Sequence, residues 1–481
     1  MGHSLATKSP DRHRARPGGT VTQSRSSRPR LAWLVPGVLG VLCALVAAGL
    51  LVRPEVVTGL FGRDPLVVGG SRTPLPTAST PPPVLTSVPV VAEPVSAAAI
   101  TARVNSVKVE GVTDVSWTVL DANSAAYASS MPRGRPMVPA SSMKVLSGLV
   151  ALDVLGNDRR FTTRVVAGSA GKVILVGGGD PLLTSAPNPG GASLTALADE
   201  TAAALKAAGR SQVALGYDAT LFTGPVWLPM WPPYFSSSVA PVSALTVDHA
   251  RPDLNRLDRA TDPARHAGDT FAALLKARGI TVSSVAPAKA ATSAAVVSAA
   301  RSAPVSSIVE HTLLVSDNDS AEVLMWHVAI ARGKPGSFLG AAAVFPAELK
   351  RRGLLSPGMV LQDANGISVG NLVSPNSLAS AIKLGLNDPL LRPLVTGLPV
   401  AGVSGTLERR FVDPTATDAR GIVRAKTGSI RGVNSLTGFT RTADGHVLVF
   451  SLMVNNSPAN GGAKVWIDRV AAALAQCGCQ R

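Results

Sequence analysis

The chain has 481 residues, 46% of them hydrophobic and only 16% charged, with a net charge of +16. That length suits two or three domains, and the apolar content excludes a disordered polyelectrolyte. Aromatics at 4% argue against a base-stacking nucleic-acid platform, and three cysteines exclude a disulfide-stapled scaffold or a Cys-rich zinc module.

Residues 1–30 carry seven Lys/Arg and one Asp, a basic tail. Leu31–Val52 follows without a charge for 22 residues, long enough to cross a bilayer core of about 30 Å as a helix. Arg25, Arg28 and Arg30 precede it and only Arg53 closely follows, so the positive-inside rule predicts a cytoplasmic N-terminus and an extracytoplasmic remainder. The tail therefore reads as a topology signal, with no nucleic-acid partner. A cleaved signal peptide is the alternative, leaving the protein secreted. Residues 53–97 hold nine prolines and read as an extended spacer, with the folded part expected just after Pro94.

Residues 96–106 read as a helix and Asp114–Leu120 as a strand with a turn at 121–124. Residues 141–155 have the spacing of a buried helix. Arg160–Val176 reads as two strands around Gly168–Gly171. Leu194–Ala208 is an Ala-rich helix, Trp227–Ser238 a Pro-containing loop, and helical spacing recurs near 266–278 and 304–331. Asp444-Gly445 between Asn434–Arg441 and His446–Asn455 is a hairpin signal. An amphipathic helix at 463–476 closes the chain. Strands at both ends with helices between predict an α+β domain that pairs early and late strands around an insert. Cys477 and Cys479 stand one residue apart, where a bridge between them would be strained, so two free or variably oxidised thiols are expected.

There is no H-E-x-x-H, no metal-type Cys/His spacing and no phosphate-binding G-x-x-x-x-G-K-S/T, so no metal or cofactor is expected. Gly177-Gly178-Gly179-Asp180 reads as a tight strand exit. The G-x-S-x-G match at Gly366–Gly370 follows a turn and precedes Pro375, so it reads as a loop and not a nucleophile elbow. What remains is a set of serines and lysines. S-x-x-K occurs at Ser141–Lys144, Ser169–Lys172 and Ser380–Lys383; S-D-N occurs at Ser316–Asn318, and K-T-G once, at Lys426–Gly428. The three signatures together mark serine acyl-transfer enzymes attacked by penicillin. Only the first two S-x-x-K pairs precede S-D-N, as the order demands. Ser141 opens an apolar helix on which positions i and i+3 share a face, whereas Ser169 lies in a turn.

With these motifs the chain resembles the D-alanyl-D-alanine carboxypeptidase/endopeptidase family of class C low-molecular-mass penicillin-binding proteins, from about residue 98 to 475. The resemblance rests also on GGGDPLL (177–183), APVSALTVDHA (240–250), LLVSDNDSAEVL (313–324), DANGISVGNLVSP (363–375), GVSGTL (402–407) and AKTGSIRGVNSLTGF (425–439). It implies a serine DD-peptidase/β-lactamase-like transpeptidase fold, an antiparallel sheet flanked by helices. Residues 98–164 plus 301–476 would form that domain, with 165–300 inserted between S-x-x-K and S-D-N. It implies peptidoglycan stem peptides as substrate and β-lactams as inhibitors. By the same resemblance Ser141 is the nucleophile, Lys144 its base with a pKa lowered by burial and by Lys426 as a second cation, and Ser316 the proton relay. Asn318, Lys426, Thr427 and Gly428 would bind substrate, and the backbone N–H groups of Ser141 and Ser429 would form the oxyanion hole. Two departures touch recognition: the loop WLPMWPPYFSSSV (227–239) has no acid, and Val369 follows Ser368 where the family usually continues to Arg. Trp231 and Tyr234 are expected to line a different pocket there. A β-lactamase and a non-enzymatic wall-binding or β-lactam-sensing module remain alternatives at this point.

Overall fold

The computed structural model describes residues 95–124, 127–130, 134–458 and 462–479. The basic tail, the apolar run and the spacer up to Pro94 lie outside the described residues. Among the described residues no helix is long and apolar enough to cross a membrane.

The first sheet has five antiparallel strands in the order β2-β1-β10-β9-β8. They are β1 (Asp114–Asp121), β2 (Tyr127–Ser129), β8 (Arg424–Ile430), β9 (Val433–Arg441) and β10 (Val447–Asn455). As the sequence predicts, the chain's early strand pairs with its last: β1 runs against β10 from Asp114 opposite Asn455 to Asp121 opposite Leu448. Alternation sorts the side chains of β10. Val447, Val449 and Met453 enter one core, while Leu448, Phe450, Leu452 and Val454 enter the other. A strand read by period two with apolar residues at every step must be covered on both faces.

Helices supply the covers. One core packs against α2 (Met143–Leu155), α5 (Val305–Val315), α6 (Asn318–Ala331), α7 (Phe338–Arg351) and α8 (Pro375–Asn387). The other packs against α1 (Ala97–Ser106) and α9 (Gly462–Ala475). Within α2 the ten residues from Met143 to Leu152 are all buried, which is why that stretch reads as apolar on every side. The residues at 304–331 form two helices, not one, because Ser316 sits in the left-handed region at φ 64° between α5 and α6.

The insert carries a second sheet, ordered β6-β5-β4-β3-β7. It comprises β3 (Thr162–Ala167), β4 (Lys172–Val176), β5 (Gln212–Asp218), β6 (Thr281–Pro287) and β7 (Val296–Arg301). The parallel pairs β4–β5 and β5–β6 are joined through α3 (Leu194–Ala207) and α4 (Pro263–Lys276), as parallel strands require a crossover. This sheet begins at Thr162 and ends at Arg301, so the expected boundary at 165 moves back by a few residues. Nor is everything between the boundaries separate. Phe222, Trp231, Val239, Val242 and Ala244 are buried in the main core, so this part of the insert is built into the first domain.

At the C-terminus, Cys477 and Cys479 are joined by a disulfide with Cα atoms 5.1 Å apart, inside the ordinary range. The expectation of two free or variably oxidised thiols is corrected: the chain bends at the intervening Gly478, bringing the two Cα atoms closer than the roughly 7 Å of an extended chain. Both cysteines are buried, and the Cys479 carbonyl accepts the Ser96 N–H at 2.8 Å, tying the end of the fold to its beginning.

Candidate active site

Ser141 sits in a 3₁₀ turn, Ala140–Ser142, that leads directly into α2. The sequence places it on the α-helix itself; the tighter turn brings positions i and i+3 into near eclipse. Ala140, fully buried, holds φ 46°. A non-glycine residue in that region stores strain of about 1–3 kcal/mol, typical of a site over-determined by its surroundings. Two glycines make the turn possible. A Cβ on Gly366, at φ +86°, would lie 1.9 Å from the Ala140 carbonyl oxygen, and one on Gly428 would lie 2.6 Å from that of Pro139. Ser435 locks the same turn by donating its hydroxyl to the Pro139 carbonyl at 2.6 Å.

Lys144, completely buried, reaches three acceptors: Ser141 Oγ at 3.0 Å, Asn318 Oδ1 at 2.7 Å and the Asn365 carbonyl at 2.6 Å. Those three satisfy an ammonium fully; loss of one proton leaves a lone pair for the Ser141 hydroxyl. Burial lowers the Lys144 pKa to about 8, against the pull of the Asp363, Asp317, Glu322 and Asp319 carboxylates. Lys426, equally buried, donates to Ser316 Oγ at 2.9 Å and to the Thr427 carbonyl at 2.8 Å. Its pKa falls well below the usual lysine value, first through burial and then through the Lys144 charge. The cation pair is thus felt chiefly at Lys426, while burial carries the drop at Lys144 that the sequence reading shares between burial and Lys426. Ser316 leaves α5 in its left-handed turn; Asp317 caps α6, accepting the Asp319 N–H at 3.0 Å, and Asn318 Nδ2 donates to the Ser238 carbonyl at 2.9 Å. Thr427, on the edge strand β8, shares a hydroxyl–hydroxyl bond of 2.7 Å with Thr406. Ser429 follows on β8, where its exposed side chain donates to Asn434 Oδ1 at 3.2 Å.

The three motifs, far apart in sequence, therefore meet around two buried lysines and two serines. Residues 97–255 and 252–476 match the D-Ala-D-Ala carboxypeptidase 3 (S13) family. The chain belongs to that family. A carboxypeptidase of Mycobacterium tuberculosis is 36% identical over 361 residues, covering 72% of this chain and 76% of its own. Carboxypeptidase DacB of Mycolicibacterium smegmatis is 34% identical over 381 residues, covering 76% and 81%. Among solved structures, penicillin binding protein 4 from Haemophilus influenzae shares the fold with a TM-score of 0.63 at 20% identity, over 78% of this chain and 98% of that one.

The supports of this S13 site include residues the motifs do not name. Glu322, buried on α6 four positions after Asn318, accepts the N–H groups of Ala364 and Asn365 at 2.8 and 2.9 Å through one oxygen. It thereby fixes the carbonyl that Lys144 donates to, and burial raises its own pKa to about 8. The i, i+4 spacing from Asn318 was the available signal. Asp363 accepts from Gly366 N–H, Ser368 N–H and Asn371 Nδ2 at 2.7–2.8 Å. It also accepts the Trp231 indole N–H at 2.9 Å. Trp231 is only 1% exposed, so it braces this loop, and the expectation that it lines a recognition pocket is corrected. Tyr234 is 67% exposed, and Val369 is exposed too. The Gly366–Gly370 stretch is a loop. Ser169 is exposed in the β3–β4 turn, and Lys383 on α8 spends its ammonium on the Asp121 and Ser124 carbonyls at 2.8 and 2.7 Å.

Proposed function

We infer that the chain is a serine-type D-Ala-D-Ala carboxypeptidase that trims peptidoglycan stem peptides through an acyl-enzyme on Ser141 and is acylated by β-lactams. The observation that carries this is the pair of contacts in which two fully buried lysines hold two half-buried serines, Lys144 to Ser141 and Lys426 to Ser316. Neutral Lys144 takes the Ser141 proton as Oγ attacks the carbonyl between the last two D-alanines. The developing oxyanion takes the backbone N–H groups of Ser141 and Ser429, where loss of one donor typically costs about 10²–10³ in rate. Ser316, held by Lys426, passes a proton to the leaving amine. Lys426, Thr427 and Thr406 receive the terminal carboxylate, whose charge favours the ammonium form of Lys426 against burial. Gly428 lets β8 lie against the nucleophile turn. Asn318 holds the substrate amide with the remaining N–H of its Nδ2 while its Oδ1 positions Lys144. Water then cleaves the ester.

The relatives named as carboxypeptidases support the reaction, and the β-lactam complex of the Haemophilus penicillin binding protein 4, which shares the fold at a TM-score of 0.60, supports the inhibitor class. Release of D-alanine from a D-Ala-D-Ala stem peptide, lost in Ser141→Ala, is the direct test; a peptide left intact by the wild type contradicts it. We also propose that Leu31–Val52 anchors the chain with residues 1–30 in the cytoplasm and the catalytic domain outside, a reading supported by the run's length and flanking charges. Removal of residues 1–52 then releases the protein from membranes; unchanged membrane association opposes the anchor.

A further inference from the structure

Beside the S-D-N turn, the fold gathers three side chains with donor atoms all within 4.8 Å of one another: His249, His311 and Asp317. They come from three places in the chain. His311 is on α5, Asp317 is the cap of α6, and His249 is delivered by the insert. His249 Nδ1 lies 3.8 Å and His311 Nε2 3.9 Å from the same oxygen, Asp317 Oδ2. The segment that brings His249 there is itself strained: Asp248, His249 and Ala250 hold φ of 50°, 54° and 57°, three consecutive non-glycine residues in the left-handed region. Such strain persists only where the surroundings over-determine it.

We propose that His249, His311 and Asp317 form a binding site for a divalent transition-metal ion, with zinc the best chemical match. Two imidazoles and one carboxylate are a borderline donor set suited to zinc, leaving a fourth position for water. Zinc bonds of about 2.0–2.1 Å require donors roughly 3.3 Å apart, so the set closes by modest rotation of its rings. The rings have that freedom, being 30% and 26% exposed, while Asp317 is 6% exposed and stays fixed. Against burial, the neighbouring His249 and His311 hold the Asp317 carboxyl below the usual carboxylate range, which favours the ionised ligand form. Burial lowers the His311 pKa, which favours the neutral form that ligates. Against burial and the Arg259 charge, Asp317 and Asp319 raise His249, so protons compete with the ion there and binding weakens at low pH. Asp319 is held by the Ala240 N–H at 2.7 Å and by Arg259 at 3.1 Å, and its Oδ2 lies 3.4 Å from His249 Nδ1, so it flanks the set as a further carboxylate. An ion here would clamp the strained turn of the insert to the loop that carries Ser316 and Asn318.

The test is calorimetric titration of the untagged full chain with zinc alone, repeated with cobalt for its absorption spectrum. The expected result is one tight site per chain, with a visible cobalt spectrum of tetrahedral type and a rise of a few degrees in Tm reversed by chelator. His249→Asn, in which asparagine tolerates the left-handed backbone, and His311→Gln should each weaken binding at least tenfold. His266→Gln, on α4 away from the cluster, should leave it unchanged. Circular dichroism in chelator verifies that each variant is folded. The absence of stoichiometric binding would overturn the proposal, as would a site indifferent to both variants. The latter result would place the metal on other histidines, such as His3 and His13 of the tail.

Discussion

Ser141 and Ser169 each stand three residues before a lysine, in short 3₁₀ turns only 28 positions apart, and there the likeness ends. Ser169 lies exposed in the turn between β3 and β4, and its Lys172 is only half-buried. Ser141 lies where α2, the S-D-N turn and β8 converge, and its lysine has no contact with solvent. The difference is one of dielectric and neighbours. A lysine in water stays an ammonium near pKa 10.4 and cannot act as a base at neutral pH. Burial brings Lys144 to about 8, so roughly a tenth of molecules hold it neutral at pH 7. The motif supplies the atoms, and the packing around it supplies the reactivity.

The comparison breaks most sharply at the nucleophile. Ser141→Ala should reduce D-alanine release by a factor on the order of 10⁴ or more, and abolish covalent labelling by benzylpenicillin. Lys144→Ala should follow at about 10³, read as acylation rate with the fold intact by circular dichroism. The same lysine sets a pH dependence. As a base it acts in its neutral form, so the acylation rate should rise about tenfold per pH unit and level off above about 8. A flat profile from pH 6 to 8 would remove Lys144 from the role. Gly428→Ala should slow acylation about a hundredfold, because its Cβ would press on the Pro139 carbonyl and on Ser435 Oγ and displace the nucleophile turn. Smallest of all, Ser169→Ala should leave rate and stability unchanged within a factor of two, as exposed turn substitutions do.

Much of this was legible in the sequence for identifiable reasons. The pairing of β1 with β10, the hairpin at Asp444-Gly445 and the buried α2 follow from local periodicity and turn chemistry. The order of the three motifs excluded Ser380, and local context, an apolar helix against a turn, singled out Ser141 over Ser169. Helices α7 and α8 and strands β5 to β7 were not read, since short apolar runs of small residues carry weak periodicity. The break at Ser316 was hidden because a left-handed serine leaves no compositional mark. Trp231 looked like a recognition residue because nothing local reveals a partner 132 positions away in Asp363. Glu322 and Thr406 were missed for a similar reason: their importance lies in what they hold, the Asn365 carbonyl carrier and the Thr427 hydroxyl.

The central claim is that burial and the converging motifs make Ser141, alone among the three S-x-x-K serines, an acylating nucleophile. The most direct measurement is the intact mass of the full chain after incubation with benzylpenicillin, followed by peptide mapping of the adduct. The account predicts one equivalent of drug retained on Ser141. An adduct on Ser169 or Ser380, or drug consumed with no retained adduct, would contradict it.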